Sequence, residues 1–508
     1  MFVRKKRNRS GTITVVVVLK DNGRFKEIHN LGTVKTESEA DVLMLEGKKW
    51  ISSRGGRQEA LDLFPEEKLV SASEIFESIS QISHDGAYRL LEKVYQRIGF
   101  GEIPDKILKD LTIARICEPS SKLATVDYIR RYWNEDYHYQ QVYRYLDTLY
   151  NTRKEIVQSI SVRHTEEVLG GAVRLAFYDV TTLYFESFKE DNLRSPGFSK
   201  DGKTTETQVV LGLLVSQDGY PLAYSLFNGS QFEGYTMLPI LDDFIQRYGI
   251  KDFVLVADSG LMSNKNLELL REAKYKYIIG ARIRKESLRL RNWILSLKKE
   301  DGAVYEERKP DGDRLLVSYS SKRAQKDAFN RDKGVKRLQK SFASGKLTKD
   351  KINKRGYNKF LSISKDVEVT INPHKIEEDA RWDGWKGYLT NTTLPPEECI
   401  GQYHGLWVVE RAFRISKGTL DMRPMFHFTE RRIEAHVCIC FVALKVYKEL
   451  ERLLRIMQCK ISVDEVIKIA KTISSVTICI GNEAPMTKTL YLTPEQKSLI
   501  SIFEALGL

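Results

Sequence analysis

The sequence has few cysteines and no long apolar run, and each deficit excludes a class of protein. Six cysteines are scattered over 508 residues without a Cys-x-x-Cys pair and matching histidines, which argues against a disulfide framework and a cysteine-based zinc site. No stretch of about 18 apolar residues occurs, so no membrane-spanning helix is predicted. The apolar run 15–19 is too short for a secretory signal. We therefore expect an intracellular protein that makes no membrane contact.

The glycines also form no phosphate-binding loop, which argues against ATP-driven chemistry. What the sequence does contain is ordinary globular composition, with 42% hydrophobic and 10% aromatic residues, so wholesale disorder and fibrous repeats are excluded. Its length predicts roughly three to four structural units. The net charge of +13 favours an anionic macromolecular partner such as nucleic acid.

Two regions precede the strongest strand signals. Residues 1–75 open with strand patterns at 12–19 and 25–31 and are predicted to form a small strand-led unit. Residues 76–170 have apolar residues at helical spacing and are predicted to be mainly helical, with a possible helix-turn-helix for DNA binding. The basic residues that suit phosphate contact there are Arg130, Arg131, Arg144 and Arg153. A solvated basic face on an ordinary helical bundle explains them equally well.

A mixed sheet flanked by helices is predicted next. The expected strands are 173–178, 207–216, 221–227, 253–257 and 277–280, with helices at 237–248 and 264–273. Residues 283–385 show no matching continuation, so we expect an insertion that interrupts the sheet. Within it, residues 321–360 carry 14 Lys and Arg against 3 Asp, which favours a nucleic-acid groove or arm over a merely solvated segment.

Two aspartates follow apolar strand segments. Asp179 is expected to end the first core strand, and Asp258 to end the segment 253–257. The carboxyl ends of parallel strands border the ligand crevice of an open sheet, so neighbouring strands would bring these carboxylates together. Two close carboxylates repel unless a cation lies between them, and Mg²⁺ prefers such oxygen ligands. Either aspartate alone is more commonly a turn former.

A third acidic residue lies on a predicted helix over residues 397–417. Offsets of 7, 4 and 7 residues put Tyr403, Arg414 and Lys417 within roughly 40° of Glu410 on the helix wheel. A Glu with an Arg four residues later is ordinarily only a surface pair. Beside two strand-end aspartates, the same face can supply a third metal carboxylate and cations for DNA phosphates.

These segments resemble a known family. Residues 177–182, 256–260 and 403–417 are similar to the three acidic motifs of DDE insertion-sequence transposases whose third motif reads Y-(2)-R-(3)-E-(6)-K. The resemblance spans about residues 170 to 445 and implies an α/β fold with an RNase H-like mixed-sheet catalytic core. The implied organisation is the N-terminal unit (1–75), a mainly helical DNA-binding region (76–170), the core (171–282 and 386–450), the basic insertion (283–385) and a C-terminal region (451–508).

The resemblance also assigns residue roles. It implies that Asp179, Asp258 and Glu410 are catalytic and hold two divalent ions, Mg²⁺ with Mn²⁺ as a substitute. Tyr403 and Lys417 match the motif and, with Arg414, are expected to bind DNA. The motif arginine falls on Leu406, so its phosphate contact must come from elsewhere; Arg411 and Arg414 are the candidates.

The resulting hypothesis is a transposase that binds the terminal inverted repeats of its element, cleaves the ends and joins them to target DNA. Its expected partners are double-stranded DNA and a second copy of the chain, since two ends must be paired. The expected location is the cytoplasm of a bacterium, in association with the nucleoid. The alternatives are a noncatalytic DNA-binding protein derived from a transposase and a metal-dependent nuclease. A Ser or Tyr recombinase is disfavoured, because Tyr403 lies on a helix face without an Arg and His cluster.

Overall fold

The computed structural model describes residues 1–21, 23–54, 76–197, 205–231, 235–250, 252–261, 263–344, 356–363, 369–479 and 484–507. The chain divides into two compact units, Met1–Phe76 and Glu77–Leu508. Part of the basic segment predicted at 321–360 lies outside the described residues. No helix among the described residues has the length and apolar character needed to cross a bilayer.

The first unit is a small antiparallel sheet covered by a helix. Its elements are β1 (Phe2–Arg7), β2 (Ile13–Asp21), β3 (Arg24–Val34) and α1 (Glu37–Arg54). β2 is the middle strand and pairs with both neighbours. Ile13 and Val15 are buried with Ala40 of α1, so alternate residues of β2 form a small core. β1 was not predicted, because its basic residues hide the strand pattern.

The second unit begins with a strand and a group of helices. They are β4 (Ile79–Ser83), α2 (Gly86–Ile98), α3 (Lys106–Cys117), α4 (Lys122–Trp133), α5 (Tyr139–Thr152) and α6 (Lys154–Leu169). Three of the arginines proposed for phosphate contact are ion-paired: Arg130 and Arg131 both contact Asp127, and Arg153 contacts Asp105. The region is mainly helical, and its DNA-binding role stays a prediction.

The central sheet follows. It begins with β5 (Leu175–Tyr184), β6 (Gln208–Ser216), β7 (Pro221–Asn228), α7 (Met237–Tyr248), β8 (Val254–Ala257), α8 (Asn264–Glu272) and β9 (Lys276–Ala281). β5, β6 and β7 form an antiparallel meander, and β8 and β9 continue parallel to β5. The strand order β7-β6-β5-β8-β9 is that of an RNase H-like sheet, so the predicted α/β fold class is confirmed.

The expectation that residues 283–385 add no strand to the sheet is wrong, whereas their status as an insertion stays a prediction. The segment and the strand after it contain α9 (Leu288–Ser296), β10 (Val304–Arg308), β11 (Arg314–Tyr319), α10 (Ser321–Ala343), β12 (Leu361–Ile363), β13 (Val369–Ile371), α11 (Pro373–Ala380) and β14 (Trp385–Thr390). β14 pairs with β9, and β11 and β10 extend the same sheet to eight strands. The buried Leu315 and Val317 of β11 join Trp385 in a core of their own.

The single helix predicted at 397–417 is also wrong. The chain forms α12 (Pro396–His404), α13 (Trp407–Arg414) and a π-helical turn, Ile415–Thr419. At the turn between α12 and α13, Gly405 packs closely on the sheet: a Cβ there would lie 2.4 Å from the Phe177 ring. Tyr403, Glu410 and Lys417 therefore lie on three successive helical segments and not on one continuous α-helix.

A long helix and a small C-terminal group complete the unit. They are α14 (Glu430–Ile456), α15 (Val463–Lys471), β15 (Ser474–Ile478), β16 (Met486–Leu490) and α16 (Pro494–Ala505). α14 is buried along most of its length between the N-terminal helices and the sheet. β15 pairs with both β16 and β4, so the end of the chain joins the helical region.

Candidate active site

Asp179 and Asp258 lie at the same level of adjacent parallel strands. The last parallel pair between β5 and β8 is Tyr178 with Ala257, and each aspartate is the next residue. Neighbouring strands are about 4.8 Å apart, so the register brings the two backbones together at this point. Asp258 follows the end of β8, as predicted. Asp179 does not end its strand, because β5 continues to Tyr184 by pairing with β6.

Both aspartates lie on the face of the sheet that α13 and α14 cover. Phe177 and Leu183 of β5 and Val256 of β8 are buried in the core with these helices. Residues two apart on a strand share a face, so Asp179 and Asp258 are on that side as well. Asp258 is exposed and Asp179 half-buried. The backbone N–H of the following residue, Val180, donates to Asp179 Oδ1 at 2.8 Å.

Glu410 is placed on the helix that packs against this face. It lies exposed in the first turn of α13, whose buried residues contact β5 and β6. A carboxylate in the first turn of a helix is stabilised by the helix dipole. The fold therefore brings the third predicted acidic residue to the same side of the sheet as Asp179 and Asp258.

Tyr403 is linked directly to one of the aspartates. Its hydroxyl donates to Asp258 Oδ1 at 2.9 Å, while the side chain itself is buried. Burial and the neighbouring Asp258 charge both raise the pKa of Tyr403, so the hydroxyl stays protonated and remains a donor. Gly280 makes room for this contact, because a Cβ there would lie 2.5 Å from the Tyr403 hydroxyl. In this structure the hydroxyl of Tyr403 orients a carboxylate.

Lys386 of β14 is a cation in the same neighbourhood. Its ammonium lies 4.4 Å from the centre of the Tyr403 ring and 5.3 Å from that of Tyr388. Burial lowers the pKa of Lys386, as does the nearby charge of Arg323, whereas Asp258 and Glu410 oppose that change. Lys386 therefore sits in the electrostatic field of two of the three predicted catalytic carboxylates.

The remaining motif positions lie on and beside α13. Arg414 is exposed at the end of the helix, and Lys417 is half-buried in the π turn. Leu406 is buried between α12 and α13 in the main core. Arg411, one candidate to replace the motif arginine, forms an ion pair with Glu451 of α14. Of the two candidates, Arg414 is therefore the one without this attachment to α14.

The three carboxylates have the chemistry of a divalent-cation site. Carboxylate oxygens are the ligands that Mg²⁺ prefers, and the Lys386 ammonium already lies in the field of two of these groups. Within the described part of the chain, however, no group of three or more His, Cys, Asp or Glu side chains is arranged to hold a metal ion. The residue types fit such a cation, but Asp179, Asp258 and Glu410 are not gathered into one ligand group here.

The sequence interpretation missed two residues of this neighbourhood, Lys386 and Arg323. Lys386 is the one charged residue in the segment 385–390, and a charge within a buried strand was the signal that could have identified it. Arg323 lies at the start of α10, among so many other basic residues that nothing in its spacing distinguishes it.

The comparison with protein-family models agrees with the motif resemblance. The transposase DDE domain family matches residues 174–445, more than half of the chain and including all three acidic residues. Among solved structures, the piggyBac transposase synaptic complex with hairpin DNA is similar with a TM-score of 0.38 and 8% identity, covering 80% of this chain and 78% of that chain. No curated protein matches. The chain belongs to the family defined by the transposase DDE domain.

Proposed function

We propose that this transposase mobilises an insertion sequence of the group whose third motif reads Y-(2)-R-(3)-E-(6)-K. It binds the terminal inverted repeats of its element, cleaves the DNA at the ends and joins them to target DNA. The observation that carries the proposal is the parallel register that puts Asp179 next to Asp258, on the face covered by the helix of Glu410. The family match over residues 174–445 supports the same reaction class.

Asp179, Asp258 and Glu410 are the residues that would hold the divalent ions, Mg²⁺ with Mn²⁺ as a substitute. Bound ions supply activation of the attacking water or 3′ hydroxyl and stabilisation of the leaving oxygen in an in-line displacement at phosphorus. Tyr403 fixes one orientation of the Asp258 carboxylate through its hydrogen bond, which leaves the second oxygen, Oδ2, available as a ligand. The Glu410 carboxylate must approach the aspartates when DNA and ions bind.

DNA binding in this proposal involves cations on both sides of the carboxylates. Arg414 and Lys417 follow Glu410 along the chain and would contact phosphates near the cleaved bond. The basic helix α10 would form an arm along the duplex. Because two ends must be paired, the active species would be a homodimer on DNA, in the bacterial cytoplasm with the nucleoid.

The test is Mg²⁺-dependent cleavage of a duplex that carries the inverted repeats flanking the gene. Asp179→Asn, Asp258→Asn and Glu410→Gln should each abolish cleavage while leaving binding of the ends largely intact. Asp252→Asn is the matched control, because Asp252 precedes β8 at the opposite end of the strand and is exposed. Its activity should equal that of the wild type.

The outcomes separate the proposal from the alternatives. Cleavage that persists in any of the three variants would contradict the assignment of that residue. A wild-type protein that binds the ends but never cleaves them would identify a noncatalytic DNA-binding protein. Cleavage without joined products, with a target plasmid present, would identify a nuclease.

A further inference from the structure

A cleft of about 460 Å³ opens beside Asp258, and five of its thirteen lining residues are cationic. It lies between the end of β8, the start of the insertion and β14. Its basic lining residues are Arg282, Arg284, Lys285, Arg323 and Lys386. Among the described lining residues, Asp258 is the only acidic one. The cleft therefore carries a net positive charge next to one of the proposed catalytic carboxylates.

Two of these cations, Arg282 and Arg323, have no close carboxylate partner among the described residues. Arg282 donates to the carbonyl oxygens of Ser259 at 2.7 Å and Gly260 at 3.3 Å, which holds its guanidinium against the loop that follows Asp258. Arg323 has only a 3.9 Å approach to Asp327, four residues later on α10. Arg284, by contrast, is tied to Asp379 in an ion pair. Arg282 and Arg323 thus retain donors for an anion.

Lys386 is held in the cleft by its aromatic neighbours. The ring of Tyr403 lies under its ammonium, and the Tyr403 hydroxyl reaches Asp258. Burial lowers the pKa of Lys386 most, and the positive charge of Arg323 lowers that pKa further. Lys386 and Arg323 both line the cleft, so an anion bound between them would stabilise both cations.

The position of Leu406 gives this anion site a role. The motif arginine is absent, Leu406 is buried in the core, and Arg411 is engaged with Glu451. Arg414, the remaining candidate on α13, is already assigned to phosphates near the cleaved bond, so the contact of the motif arginine is left for another group. The cleft offers guanidinium and ammonium groups on the opposite side of Asp258, supplied by β14 and the insertion.

We propose that this cleft binds a backbone phosphate of the DNA through Arg282, Arg323 and Lys386, and so replaces the contact that Leu406 cannot make. The inference rests on the proposed function, because it assumes that DNA is the substrate. The guanidinium groups suit bidentate recognition of a phosphate, and the ammonium adds a point charge. The three residues are positioning residues that hold the strand next to Asp258.

The experiment measures binding without cleavage. The probe is a duplex of about 30 base pairs and arbitrary sequence, with EDTA present, and the readout is the slope of log affinity against log salt concentration. Each lost phosphate contact reduces that slope by about 0.9. The variant that combines Arg282→Gln, Arg323→Gln and Lys386→Gln should therefore show a slope shallower by at least about 0.9 and a weaker affinity at every salt concentration.

Two controls separate the site from general loss of charge or fold. Lys468→Gln removes one charge from α15, on a side chain that is 74% exposed and outside the cleft, and it should leave the slope unchanged. Arg323→Lys together with Lys386→Arg keeps both charges and should retain the wild-type slope. If the triple substitution unfolds the protein, the single Arg323→Gln variant is compared, since Arg323 is largely solvent-accessible on α10.

The inference is overturned if the folded triple variant binds with the wild-type slope, or if Arg323→Gln does so where the triple variant does not fold. It is equally overturned if Lys468→Gln loses as much slope as they do. Failure of the proposed function would appear in another readout, the absence of Mg²⁺-dependent cleavage by the wild-type protein. The two failures are therefore distinguishable, because the binding measurement needs no divalent ion.

Discussion

We predict that the hydrogen bond from Tyr403 to Asp258 can be removed without disturbing the packing of the core, which tests whether the bond orients the carboxylate. Tyr403→Phe removes one hydroxyl and keeps the ring that packs against Tyr388, with centroids 4.9 Å apart, and that lies under Lys386. The lost contact is a 2.9 Å hydrogen bond to an ionisable group. We expect the variant to fold normally and to cleave DNA more slowly.

The size of the effect follows from the energy of such a bond. A hydrogen bond to a charged group contributes about 1.5–3 kcal/mol, and each 1.36 kcal/mol in the barrier is tenfold in rate. If the full contribution is expressed in the transition state, cleavage slows by roughly 10- to 150-fold. Binding of DNA in EDTA should be unchanged, because the phosphate contacts are intact.

Single-turnover cleavage at saturating Mg²⁺ is the suitable assay, since it isolates the chemical step. Tyr388→Phe is the matched control: Tyr388 is also buried, in the same ring stack, and its hydroxyl is near Ser318 and His404, with no bond to a carboxylate. Its cleavage rate should stay within about threefold of wild type. A Tyr403→Phe rate equal to that of Tyr388→Phe would refute the orienting role.

Two further predictions concern the stability of the second unit. Arg331→Gln leaves Asp383 buried without the guanidinium that contacts it at 2.6 Å. The free energy of unfolding, measured by urea denaturation, should therefore fall by about 3 kcal/mol. Replacing both residues by apolar ones should recover much of this loss, and no recovery would contradict the ion-pair explanation. Burial and then the charge of Lys122 lower the pKa of His427 to about 3. The unfolded chain takes up this proton near pH 6.5 and the folded chain does not, so stability should fall as the pH decreases from about 6.5 towards 3, by up to about 1.4 kcal/mol per pH unit. His427→Gln should reduce this dependence without removing it, because burial also lowers the pKa of His436. An identical pH profile would show that His427 does not contribute.

Local signals predicted the first half of the core well, for identifiable reasons. The helix at 237–248 was predicted with its observed bounds. Its end carries a local signal, since Gly249 adopts the left-handed conformation that commonly ends a helix. The strands of the meander were found from their β-branched, apolar residues. The end of β5 was missed because its last residues are held by pairing with β6, a contact distant in sequence.

The later half of the core depended on contacts that no local pattern reveals. Nothing around Gly405 in the sequence shows that it approaches the ring of Phe177 or that the helix turns at this point, so one helix was predicted where two occur. β11 was overlooked because it lies within a basic insertion, although its apolar residues pair with β14. The same long-range pairing carries Lys386 to the active-site edge, which is why it was not anticipated.

The candidate site was predicted in its residue types but not in its geometry. The motif spacing identified Asp179, Asp258 and Glu410, and the parallel register of β5 and β8 brings the two aspartates to one level. The approach of Glu410 to them is not present among the described residues. That approach depends on how α13 sits on the sheet, and the electrostatic repulsion among three carboxylates opposes it until a cation binds.

The central claim is that the three carboxylates converge on divalent cations when DNA is bound. The most direct measurement is the anomalous scattering of Mn²⁺ in crystals of the complex with cleaved end DNA. The account predicts Mn²⁺ between Asp179 and Asp258, with a Glu410 oxygen within about 2–2.5 Å of a bound ion. Mn²⁺ bound elsewhere, or bound at the aspartates with Glu410 still outside coordinating distance, would contradict it.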